Sequence, residues 1–206
     1  SAAPKGRLIL PQQQTVRDIL EAGALAFVTR ETELGAALAA LTRPPRLVIT
    51  DSQAFAKVAA ETPREVPLTS FSILFARYKG DLGVLTQGAR AVDSLKDGDR
   101  VLIAEGCTHH RQCDDIGTVK IPRWLRERTG GKQLKLEHSS GMQYPRDLSE
   151  YSLIIHCGAC MLNRREMHYR IAQAQTAGVP IVNYGVFIAH ATGILDRCLE
   201  PFAMSR

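Results

Sequence analysis

The strongest constraint on this 206-residue chain is a regular exchange between two hydrophobic periodicities. Short apolar runs of strand length at 7–10, 25–29, 47–50 and 66–70 are each followed by helical spacing, at 12–22, 31–41, 53–60 and 73–78. Gly23 stops the first helical segment and Pro44-Pro45 ends the second. Beyond Lys79-Gly80-Asp81 the exchange resumes, with a helix at 84–95, a strand at 100–104 and a helix at 122–128 entered through Pro122. Strands at 134–137 and 151–155 lead to a helix at 164–177, stopped by Gly178 with Pro180 beyond; a strand at 179–183 and a helix at 186–198 close the chain. Strands that alternate with helices are joined by crossovers, and crossovers make parallel sheets. The pattern predicts an α/β protein of two consecutive β/α units, each a mostly parallel sheet flanked by helices, with a boundary near residue 75.

The first unit carries no Gly-rich phosphate loop and no polar cluster. Its expected role is structural: a small sheet with an exposed edge strand can pair with its twin, so self-association is predicted. Chemistry concentrates in the second unit. Open parallel sheets bind ligands just beyond the carboxyl ends of their strands. Two strands there end in unusual residues: "RVLIAEG" delivers Cys107-Thr108-His109-His110, and "YSLII" delivers His156-Cys157-Gly158-Ala159-Cys160. If the topology holds, both sets lie on one rim.

The five cysteines, at 107, 113, 157, 160 and 198, are an odd set, and no secretory signal is visible at Ser1-Ala2-Ala3-Pro4. A disulfide framework is therefore not expected, a cytoplasmic setting is, and clustered cysteines point to metal or catalysis. An opening serine suggests a processed chain or a piece of a longer one. With 45% hydrophobic and 23% charged residues the composition is that of a folded domain, and no apolar run approaches the ~18 residues of a membrane span. The charge of +5 is scattered and Trp124 is the only tryptophan, so neither a nucleic acid nor a membrane is an expected partner.

Cys157 and Cys160 precede a helix that starts near Asn163, whose free N–H groups and dipole favour thiolates, the form that binds metal. Residue chemistry leaves three identities open. A thioredoxin-like dithiol, and with it a thiol-disulfide oxidoreductase, needs only Cys157 and Cys160 and leaves Cys107 unused. A zinc-binding interaction module would use the three cysteines and one histidine. A 4Fe–4S cluster would use Cys107, Cys157 and Cys160 and leave one iron for a weaker ligand. That fourth position falls to His109 or His156, or else to solvent, Glu105, Asp114 or Asp115. His110 and His168 read as surface or supporting residues, Arg164 and Arg165 as a solvated helix face, and Cys113 and Cys198 as incidental.

The segments "CTHH", "DDIGTVKIPRWLRERTG", "HCGACMLNRREMHYRI" and "GVPIVNYGV" closely resemble the HydF family, the scaffold GTPases of FeFe-hydrogenase maturation. The family's motif is Cys-x-His, a long spacer, then His-Cys-x-x-Cys, matched here by Cys107, His109, the 46 residues 110–155, His156, Cys157 and Cys160. "APKGRLILPQQQTVRDILEAG" is similar to the start of the family's middle domain, so the resemblance runs over essentially the whole chain. It implies a dimerisation domain at 1–75 and an iron–sulfur cluster-binding domain at 76–206. It further implies a 4Fe–4S cluster on the three cysteines and transient carriage of a di-iron precursor. The implied partners are a second copy, radical SAM maturases of the HydE and HydG types, and apo-FeFe-hydrogenase. The family's GTPase domain has no counterpart: "TGGKQ" at 129–133 lacks the first glycine and the Ser/Thr of a phosphate loop, so no enzyme activity is expected of this chain.

Overall fold

The computed structural model describes residues 10–106, 115–141, 143–159 and 162–203. The chain forms two compact units, one of residues 1–74 with 192–206 and one of residues 75–191. Both are α/β.

In the first unit, β1 (Val48–Thr50) and β2 (Leu68–Ser70) pair in parallel, with Val48 opposite Leu68. Helices α1 (Leu10–Glu21), α2 (Leu34–Ala40) and α3 (Phe55–Glu61) belong to this unit, and α4 (Phe71–Lys79) follows β2 directly. Its core gathers Leu34, Ala54, Val58 and Leu68, with Leu38, Val48 and Ala59 against them. The apolar run at 25–29 belongs to no strand and pairs with nothing among the described residues. Leu25 is 95% exposed, Phe27 65% and Val28 59%. A β-propensity becomes a strand only where a neighbour accepts its ladder bonds, and this segment has none among the described residues. The strand expected at 7–10 lies outside the described residues except for Leu10, which instead opens α1.

The second unit has a four-stranded, wholly parallel sheet of β3 (Arg100–Glu105), β4 (Lys135–Ser140), β5 (Leu153–His156) and β6 (Ile181–Asn183), in the order β4-β3-β5-β6. The chain steps outward from β3 to β4, then crosses back to β5 on the other side. The topological switch point therefore lies between β3 and β5, the position where such sheets bind ligands. Residues 101–104 and 153–155 are at most 1% exposed; central parallel strands covered on both faces read as continuous apolar runs, as these do. The covering helices are α5 (Leu82–Ala91), α6 (Ile121–Arg128), α7 (Arg164–Thr176) and α8 (Tyr184–Ala191). On α5, Gly88 permits a close approach: a Cβ there would stand 2.0 Å from Ile181 O.

The helix expected at 186–198 is broken. It divides into α8 and α9 (Leu195–Ala203) at Gly193, whose φ of +75° does not suit a helix. The sequence boundary assigns everything past 75 to the second unit, but α9 packs on the first. Thr69 donates to Cys198 O at 3.1 Å, and Arg197 donates to the carbonyls of Ala59 and Thr62 at 3.0 and 2.9 Å, closing the end of α3. Among the described residues no helix is long and apolar enough to cross a membrane.

Candidate metal centre

Strand β3 ends on Glu105 and β5 on His156, with Ala104 directly opposite His156. The ladder runs one step further, Cys157 N–H donating to Ala104 O at 2.8 Å. Cys157 is therefore placed by backbone pairing, at the carboxyl rim of the switch point. Beside it sits Gly106, the residue before Cys107. Cys107, His109 and Cys160, and with them His110, Cys113 and Asp114, lie outside the described residues. No group of three or more metal-ligating side chains is assembled among the described residues.

Cys157 Sγ accepts two backbone hydrogen bonds, from Gly106 N–H at 3.0 Å and from Ala159 N–H at 3.4 Å. Such donors stabilise charge on sulfur, and they tune thiolates that hold iron or zinc. Both depend on close packing. A Cβ on Gly106 would fall 2.8 Å from Leu162 Cδ1 and 3.5 Å from Cys157 Sγ, so glycine lets the two loops meet. Ala159 adopts φ +53°, a left-handed conformation that is strained for a residue with a Cβ. The turn is closed by Leu162 N–H to Ala159 O at 3.1 Å. Lys79 Nζ donates to Leu162 O at 2.9 Å and to Ala159 O at 3.3 Å. Asn163 then caps α7, its Oδ1 accepting from Glu166 N–H at 2.9 Å, which directs the positive end of the helix dipole to the cysteine loop.

His156 is fully buried. Its Nδ1–H donates to Cys157 O at 2.8 Å, and its Nε2 accepts from Arg170 Nη1 at 3.0 Å. Burial pushes its pKa down to about 4, so the ring is neutral with the proton on Nδ1. Both nitrogens are thus engaged within the protein. Arg170, 2% exposed, also donates to Glu166 at 2.7 Å and to Gly141 O at 3.1 Å, and its guanidinium lies 4.7 Å over the Tyr144 ring. Burial raises the Tyr144 phenol to about 12, and its hydroxyl has no hydrogen-bond partner among the described residues.

Among the acidic candidates, Glu105 is 7% exposed. Its carboxylate and the Tyr184 hydroxyl converge on Gly117, where a Cβ would stand 2.6 Å from Glu105 Oε1 and 2.5 Å from Tyr184 Oη. Burial first, then the neighbouring Glu105, raises the Tyr184 pKa and keeps the phenol neutral. Asp115 is occupied as a cap, accepting from Thr118 N–H and Oγ1 at 3.0 and 3.1 Å. His168 is exposed and takes a bond from Arg164 at 3.3 Å.

Sequence reasoning missed Arg170 and Lys79. Arg170 left a signal, because it shares the buried face of α7 with Met167, Ile171 and Ala174, at spacing that otherwise holds apolar residues. Lys79 left none; only the fold brings it to the cysteine loop. The donor chemistry that remains suits a soft metal: a buried sulfur with two N–H donors, at the rim where two more cysteines enter the sequence on either side.

Two family profiles match the chain, the hydrogen maturase F dimerization domain over residues 1–80 and the hydrogen maturase F tetramerization domain over residues 83–201. A comparison with curated proteins found no match. The two profiles follow one another along nearly the whole sequence, and the chain belongs to the hydrogen maturase F family.

Proposed function

We propose that this chain is a carrier in FeFe-hydrogenase maturation that binds a 4Fe–4S cluster through Cys107, Cys157 and Cys160, holds a di-iron precursor and passes it to the apo-hydrogenase. The observation that carries the proposal is Cys157 Sγ at the switch point, accepting N–H bonds from Gly106 and Ala159, the residues that directly precede Cys107 and Cys160. A bound cluster, held by the three thiolates, would offer the precursor a position not taken by a cysteine. The chain's own part is to fix the thiolates, to exclude water from Cys157 and to leave one coordination position weakly held. Because both nitrogens of His156 are engaged and Asp115 is a cap, that position falls to His109, Glu105, Asp114 or solvent, and His156 orients the Cys157 carbonyl instead. The precursor reaches the chain from radical SAM maturases of the HydE and HydG types.

Self-association belongs to the same proposal. The segment around Leu25, Phe27 and Val28, unpaired among the described residues, offers an apolar surface to a second copy, in a unit matched by a dimerization profile. Sedimentation of the full chain is expected to give at least a dimer, and Leu25→Asp with Phe27→Asp to lower the mass; a wild-type monomer overturns it. For the ligands, Cys107→Ser and Cys157→Ser are each expected to abolish iron–sulfide reconstitution. Disulfide reductase activity that survives Cys107→Ser would favour a dithiol, and stoichiometric zinc held without iron a zinc module.

A further inference from the structure

The loop that presents Cys157 is held in a conformation it would not choose. Ala159 sits at φ +53°, and that left-handed turn aims its N–H at Cys157 Sγ. Such a conformation persists only where the surroundings over-determine it. Lys79 binds two carbonyls of this loop, donating to Ala159 O and Leu162 O. Lys79 is itself fixed. Its ammonium lies 5.5 Å from the Phe75 ring centroid, and Gly80 is pressed close enough to α7 that a Cβ would stand 3.2 Å from Ile171 Cδ1. Lys79, Cys157, Ala159 and Met167 line one small pocket of about 10 Å³, room for at most one water.

We propose that Lys79 is a positioning residue for the cysteine loop: it locks the left-handed turn that donates to Cys157 Sγ and places a fixed positive charge behind that sulfur. The proposal rests on the reading of Cys157 as a cluster ligand, but its hold on the loop is tested without iron.

In the iron-free full chain, amide hydrogen exchange is measured for wild type, Lys79→Met and Lys79→Arg. In Lys79→Met the Ala159 and Leu162 amides are expected to exchange at least about tenfold faster, while Leu102, Ile103 and Ile154 in the sheet keep their protection. Lys79→Arg, whose fork can reach both carbonyls, should restore the wild-type rates to within about twofold. Unchanged exchange at Ala159 and Leu162 overturns the proposal, as does equal acceleration in the sheet. After iron–sulfide reconstitution, Lys79→Met should lower the reduced-to-oxidised ratio of the cluster about tenfold at fixed potential, or about 59 mV for a one-electron couple. Wild type that takes up no iron refutes the cluster reading and leaves the exchange result to decide the role of Lys79.

Discussion

Arg170 is the residue whose loss should be felt most directly at the cysteine rim. Arg170→Met keeps most of the buried volume and removes the guanidinium. One buried acceptor, His156 Nε2, and the half-buried Gly141 O then lose their donor. A buried polar group left unpaired costs about 1–3 kcal/mol. The lost stacking on Tyr144 adds up to about 1 kcal/mol. Against this, the variant no longer takes a guanidinium out of water, which offsets part of the loss. The balance is a destabilisation of about 3 kcal/mol, which for a chain of this size lowers Tm by about 6–12 °C. The assay is thermal unfolding of iron-free protein under reducing conditions, followed by circular dichroism. Glu166→Gln is the comparator: that carboxylate is 38% exposed, and its loss should cost no more than about 1 kcal/mol. A Tm for Arg170→Met within about 2 °C of wild type would refute the reasoning, because the buried network would then contribute nothing.

Gly88→Ala should damage the second unit severely, by about 3 kcal/mol or more, because its Cβ would lie 2.0 Å from Ile181 O and 2.4 Å from Ile181 C, backbone atoms that cannot move aside; thermal unfolding and soluble yield check this. Asp93 is held below the usual carboxylate range chiefly by Arg128, whose two donors lie 2.8 and 2.9 Å away, with His190 adding to it. The sign follows: its contribution is present above the unfolded carboxylate pKa near 4 and is lost as pH falls through the lowered folded value. Asp93→Asn should flatten acid unfolding below about pH 4, by no more than about 1 kcal/mol because the pair is half exposed.

Much of the architecture was legible because the physics is local. "RVLIA" and "SLII" are continuous apolar runs, and only a strand covered on both faces tolerates such a run in a sheet of this kind. Their shared direction predicts one rim for the residues after them, and Gly106 N–H does donate to Cys157 Sγ. What failed was non-local. The segment at 25–29 has strand composition, but pairing requires a partner the local sequence does not name. The return of α9 to the first unit depends on Arg197 finding carbonyls more than a hundred residues earlier in the chain. The break at Gly193 is readable in the sequence, since a glycine inside a helical pattern is a stop signal. His156 closes β5, but the motif could not reveal its occupation by Arg170, which only the packed sheet and helix create.

The central claim is tested most directly by the metal and sulfide content of the full chain, purified and reconstituted without oxygen, read together with its visible absorption. The account predicts a brown protein with roughly four iron and four acid-labile sulfide per chain and broad sulfur-to-iron absorption. It predicts that all of this is lost in Cys107→Ser. A colourless protein that cannot be loaded, one that holds only zinc, or one whose cluster survives Cys107→Ser would contradict it.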